Sequence, residues 1–226
     1  WGCQCSCQND KRYLVIADVG EEWYDFRYVG GDKGDSLGLE SWLYDEDRWP
    51  SGTAGGFVTM NPEYSLNYIR LQQCDGADFE FSGDEIIVFS CDMLPEKGKF
   101  AFTNDKVITK DTPKSEYKDK TVLQFVKDRA SGGSFYNGYT YVDTMNPEAI
   151  NKFIELTHEK YAEKCGDRLG RSISGIFTDE PHRGGVMCGF SASTREPLYV
   201  VPNTPKLFEK FKEKYGYDLK DRLPDL

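Results

Sequence analysis

The stretch GYTYVDTMNPEAINKFIELTHEKYAEKCGDRLGRSISGIFTDEP, residues 138–181, decides how the chain is read. Residues 138–142 are short, aromatic and β-branched at their end, the composition of a strand. Asn146 is a good N-cap, Pro147 suits the first helical position, and Glu148 falls where the helix dipole favours an acid. Apolar or small residues then recur at Ile150, Phe153, Ile154, Thr157, Tyr161 and Cys165, a helical stripe that Gly166 can close. Residues 172–177 form the next strand and run into Thr178, Asp179, Glu180 and Pro181. Strand, helix and strand in some forty residues is a βαβ unit, the building block of parallel sheets.

Upstream, residues 39–44 are apolar and aromatic and end abruptly in Asp45, Glu46, Asp47 and Arg48, as a buried parallel strand does at a polar edge. WPSGTAGG (49–56) is a loop by its Pro, Ser and Gly content. It lacks the Lys and the spacing of a phosphate loop, so it gives no reason to expect a nucleotide. Between residues 78 and 110 the period changes to two. Phe79 and Phe81 alternate with polar neighbours, residues 86–89 are β-branched and aromatic, and Asn104-Asp105 signals a turn. This predicts a small antiparallel insertion, about residues 70–137, within a body spanning 37–226. Near the end, Thr204 and Pro205 read as the N-cap and first residue of a helix carrying Leu207, Phe208 and Phe211.

Residues 1–36 read differently. Residues 13–19 suit a strand, but no helix pattern follows. The chain opens on Trp1 without a Met, a basic segment or an apolar leader. The expectation is an atypical segment, produced by a frame error or a truncation. Seven cysteines cannot all pair within one chain, and the run Cys3, Cys5, Cys7 lacks the spacing of a metal site. Free thiols in a reducing cytoplasm are expected, with Cys74, Cys91, Cys165 and Cys188 scattered beyond.

The 226 residues carry 28 basic against 38 acidic side chains, a net −10, which speaks against a nucleic-acid partner or an anionic membrane. No apolar run approaches the ~18 residues of a membrane span. The acids themselves are more informative. Two strands end in carboxylates, Asp45-Glu46-Asp47 and Asp179-Glu180, and in a parallel fold both sets reach one rim. Paired carboxylates across a cleft suit glycoside hydrolysis, where one donates a proton to the leaving oxygen and the other acts as base or nucleophile. Trp42, Tyr44 and Trp49 flank the first cluster, and aromatic faces beside acids and Arg48 make a sugar-binding surface. His182 follows Pro181 and is placed to bond sugar hydroxyls or tune the acid.

Each feature also has a plainer reading. The run 45–48 suits a solvated loop, Glu180 suits a turn cap, Trp42 and Tyr44 suit a core face, and His158 suits a packed helix surface. Asp, Glu and His on one rim also fit Ca²⁺ or another hard cation, although no cofactor is required.

Six motifs together resemble a known group. LESWLYDEDRWPSGTAGG (39–56), NPEYS (61–65), YVDTMNPEAINKFIELTHEKY (141–161), SGIFTDEPH (174–182), FKEKYGYDL (211–219) and LPDL (223–226) look like the catalytic barrel of bacterial glycoside hydrolases. The group is similar to the alpha-L-rhamnosidase-like enzymes of glycoside hydrolase family 106 and, more distantly, to the beta-galactosidase-like superfamily. The resemblance implies a TIM barrel and a carbohydrate substrate. An Asn-Glu-Pro motif carries the acid/base in the wider superfamily, and Asp179-Glu180-Pro181 matches it. Glu180 therefore inherits that role, and Asp in place of Asn leaves the roles of Asp179 and Glu180 exchangeable. Asp45, Glu46, Arg48, Trp49, Tyr44 and His182 would meet the sugar.

A full barrel takes about 250 residues and eight βα units, and only three barrel strands are legible here. The fold expected is thus a partial (β/α)8 TIM-barrel fragment with a β insertion, inactive alone. The alternative is a non-catalytic carbohydrate-binding or remnant module. The sugar, the stereochemical outcome and the oligomeric state are not encoded in these motifs.

Overall fold

Among the described residues, five of the seven strands pair antiparallel in one sheet, and the chain is not the TIM-barrel fragment that its motifs suggest. The computed structural model describes residues 32–34, 36–39, 41–97, 101–183 and 200–226. The expected strand at 13–19 and Cys3, Cys5, Cys7 and Cys188 lie outside them. The chain divides into two compact units, 1–66 with 130–183 and 67–129 with 184–226.

In the first unit, β1 (Ser41–Tyr44) pairs in parallel with β6 (Ile173–Phe177), placing Tyr44 opposite Phe177. This is the only parallel strand pair among the described residues. Helix α1 (Pro147–Leu156) begins as the sequence suggests, with the Asn146 side chain accepting the Glu148 N–H. The helical run then breaks. Thr157 leaves helical geometry at ψ −74°, and its hydroxyl donates back to the Phe153 carbonyl at 2.7 Å. Such back-bonding bends or interrupts helices. A second helix, α2 (His158–Cys165), follows at once. Leu43, Tyr161, Cys165 and Ile173 pack together beneath the parallel pair, while Val58, Leu66, Val142, Ala149 and Phe153 form a separate core.

The strand expected at 138–142 does not form. Asn137 and Gly138 take left-handed φ of 56° and 93°, which makes a turn, and only Val142 bridges, antiparallel to Ser65. The apolar character that mimicked a strand reflects burial of Tyr141 and Val142 instead. Without that strand the βαβ unit is lost, and with it the main argument for a barrel.

The second unit is the sheet, in order β4–β3–β5–β2–β7. Its strands are β2 (Asn67–Asp75), β3 (Glu85–Met93), β4 (Phe102–Val107), β5 (Thr121–Arg129) and β7 (Val200–Asn203). Period two sorts neighbours onto opposite faces. Phe89 and Leu123 join Ile69, Phe125 and Leu223 on one side, while Val88 and Val122 join Phe79, Ile108 and Tyr117 on the other. The 3-10 segment Leu219–Asp225 supplies Leu223, and Leu219 is also buried. Helix α3 (Leu207–Tyr215) starts later than expected: Lys206, at φ 65°, precedes it rather than Thr204. Strand β2 was not anticipated. Cys74, Cys91 and Cys165 are free thiols. Among the described residues no helix is long and apolar enough to cross a membrane.

Candidate functional site

The carboxyl edge of the β1–β6 pair gathers two acidic dipeptides, and their environments differ sharply. Glu46 is 5% exposed, and its carboxylate is ringed by hydrogen-bond donors. Oε2 accepts the N–H groups of Gly52, Thr53 and Ala54 at 2.7–3.0 Å and the Thr53 hydroxyl at 3.1 Å. Oε1 accepts the N–H groups of Asp47, Arg48 and Gly55. The loop therefore folds around its own anion. Gly52 is needed there, because its φ is 136° and an added Cβ would lie 2.7 Å from Val142. Burial raises the Glu46 pKa above the ordinary 4.5, against the pull of the backbone donors.

Asp45 is 1% exposed. Its Oδ1 accepts the Ser51 hydroxyl at 2.6 Å, its Oδ2 accepts the Thr178 hydroxyl at 2.6 Å, and His158 Nε2 lies 3.3 Å from Oδ2. Burial pushes this carboxyl up, but the hydrogen bonds from His158, Ser51 and Thr178 outweigh it and leave the pKa below the ordinary 3.8. Asp45 thus ties β1, the loop, the end of β6 and the α1–α2 junction together.

The second dipeptide faces outward. Asp179 is half-buried and accepts the Tyr44 hydroxyl on Oδ2 at 3.1 Å. Its backbone is clamped by Ser51, whose N–H donates to the Asp179 carbonyl at 2.8 Å and whose hydroxyl accepts the Asp179 N–H at 2.9 Å. Tyr44 is held in turn, its carbonyl accepting the Tyr161 hydroxyl at 2.9 Å. Glu180 is exposed and sits at a left-handed φ of 43°, a conformation that costs a non-glycine residue of the order of 1–3 kcal/mol.

The other expected contacts are spread around this edge. Arg48 bonds Asp47 at 2.8 Å, and its guanidinium carbon lies 6.0 Å from the Phe135 ring centre. Trp49 is 40% exposed and joins Pro50 through a cis peptide bond. His182 stacks on Tyr141, with ring centres 4.4 Å apart, and burial holds its pKa below the usual histidine value. The Tyr141 hydroxyl donates to the Ser51 carbonyl, which links this stack to the loop. Tyr44, Asp45 and Asp179 are therefore joined in one network, while Glu46 serves the loop from within.

Ser51, Tyr141, His158 and Thr178 complete the network without having been singled out for it. Nothing local marks them, since each meets Asp45 or the loop only after folding. Among the described residues no group of three or more His, Cys, Asp or Glu side chains could hold a metal ion. Compared with protein-family models, with curated proteins and with solved structures, the chain matches none of them.

Proposed function

We propose that the rim formed by Asp179 and Glu180 takes part in hydrolysing O-glycosidic bonds in plant or host glycans, in a protein of the alpha-L-rhamnosidase-like group. One observation carries this reading. Tyr44 at the end of β1 hydrogen-bonds Asp179 just beyond β6, which fixes an outward-facing carboxylate at the carboxyl edge of a parallel pair. Glu180 next to it is exposed and held in a strained backbone conformation, and such strain clusters at working sites.

Glu180 gives its proton to the glycosidic oxygen as the carbon–oxygen bond breaks and the electron pair leaves with that oxygen. Water then supplies hydroxide to the sugar carbon and returns a proton. Asp179 provides negative charge beside the developing positive charge, and the two acids exchange roles if Asp179 proves the better donor. Trp49, Arg48 and His182 contact the sugar. Asp45 and Glu46 act through the loop that they hold.

Aryl glycoside hydrolysis by the protein and by Glu180→Gln tests the assignment. Removing a general acid lowers the rate by about 10²–10⁴. Equal rates in both proteins would overturn it. The alternative, a non-catalytic carbohydrate-binding module, is favoured by the engagement of Asp45 and Glu46 with protein donors, which leaves the adjacent Asp179 and Glu180 as the outward-facing acids of this edge among the described residues. That reading requires glycan binding that survives Glu180→Gln, with no sugar released by either protein.

A further inference from the structure

One face of the β1–β6 pair is aromatic and open. Trp42 and Tyr44 alternate along β1, so both side chains project from the same face, about 6.6 Å apart along the strand. Opposite them in register stand Gly175 and Phe177 of β6. The Trp42 indole lies directly over Gly175. A Cβ at that position would meet three indole carbons at 2.6–3.1 Å, so the glycine is what allows the ring to lie against the strand. Trp42 remains 57% exposed. Phe177 is 53% exposed and stacks on Tyr44, with ring centres 5.9 Å apart and planes 24° from parallel. At the carboxyl end of this face the Tyr44 hydroxyl donates to Asp179.

We infer that this face is a stacking subsite for a single six-membered sugar ring, with Trp42 and Phe177 beneath the ring and Asp179 bonding its hydroxyls. A sugar ring has one face of C–H bonds and a rim of hydroxyls, which is the combination this surface meets. The flat rings take the C–H face, and the carboxylate at the end takes hydroxyl donors. A lipid chain would use the aromatic rings but would bring no hydrogen-bond donor to Asp179, and a peptide would bring donors without the flat C–H face that the two open rings suit. A second copy of the chain would bury the rings and bring its own Asp179 into the same contact. The inference rests on the glycosidase reading for the choice of a sugar, but it concerns binding and not bond cleavage.

Saturation-transfer NMR with methyl glycosides of the common hexoses, deoxyhexoses and pentoses tests it. At least one glycoside is expected to receive saturation on the ring protons of one face and to shift the Trp42 indole N–H resonance. Trp42→Ala and Gly175→Ala, which removes or displaces the indole, should each weaken binding at least tenfold. Because the indole shift is read in the unaltered protein, a variant that fails to fold leaves the test intact. No saturation with any glycoside, or full binding by a folded Trp42→Ala, would overturn the inference. So would a dimer that dissociates on Trp42→Ala, since that assigns the face to a second copy. Binding without hydrolysis would uphold the subsite and remove the glycosidase reading instead.

Discussion

Asp45-Glu46 and Asp179-Glu180 are the same kind of sequence object, an acidic pair just beyond a strand of one parallel ladder. Folding treats them in opposite ways. The first pair turns inward and is saturated with donors, seven of them on Glu46 alone. The second is held by its backbone and by a single tyrosine, and Glu180 remains exposed. A carboxylate surrounded by protein donors has its hydrogen-bonding capacity committed, and one fixed by its backbone keeps that capacity for a ligand. Donor count together with burial, and not acidity in the sequence, separates the inward acids from the outward ones.

The sharpest way to break this contrast is Glu46→Ala. It would leave six backbone N–H groups unpaired, four of them buried, and each buried one costs about 1–3 kcal/mol if water cannot reach it. Loss of at least ~4 kcal/mol in urea denaturation, or failure to fold, is expected. A cost under ~1 kcal/mol would show that the loop does not depend on its anion.

Asp45→Asn comes next, with an expected loss of about 1–3 kcal/mol because three polar partners lose a charged acceptor. The two inward acids also predict opposite pH slopes. The Asp45 pKa is lowered on folding, so its stabilisation is present above the ordinary 3.8 and disappears as pH falls below that value. The Glu46 pKa is raised, so stability is fully present below 4.5 and is lost as pH rises from there through the folded value. Denaturation midpoints measured against pH should therefore show a shallower acid-side slope in Asp45→Asn and keep the slope above 4.5.

Glu85 separates donor count from burial. It accepts bonds from Ser82, Gly83 and Gln124 but is only half-buried; burial pushes its pKa up, while its own N–H and the donors of Ser82 and Gly83 outweigh that and lower it to about 2. Solvent screens such contacts. Glu85→Gln should cost no more than about 1 kcal/mol in the same assay, and a loss near that of Glu46→Ala would make donors alone decisive.

Glu180 should move stability least. Glu180→Gln is expected within about 0.5 kcal/mol of the unaltered protein. Glu180→Gly should stabilise by up to about 1 kcal/mol by releasing the left-handed strain. A destabilising Glu180→Gly would remove the argument that strain is stored at this residue.

Local signals in the sequence proved readable where a single neighbourhood decides the structure. Asn146 and Pro147 mark the start of α1, and the polar ends after Tyr44 and Phe177 mark the carboxyl edge of the parallel pair. Residues 138–142 mimic a barrel strand for a different reason, the burial of Tyr141 and Val142 beside Ser65 and Leu66. Strand β2 escaped notice because what makes it a strand is its register with β5, from Asn67 opposite Arg129 to Asp75 opposite Thr121. No short window holds both partners. The site was half legible for a related cause. SGTAGG lacks the features of a phosphate loop, yet its N–H groups do cradle an anion, and that anion is the protein's own Glu46.

The Glu46 cradle and the Asp45 clasp also differ in how far apart their partners lie along the chain. The cradle joins residues at most nine positions apart, while the Thr178–Asp45 bond spans 133. Closing the longer span costs about 2.4 kcal/mol more in chain entropy. The cradle can therefore assemble first and wait for β6 to arrive. Variants of Thr53 should slow refolding, and variants of Thr178 should mainly speed unfolding.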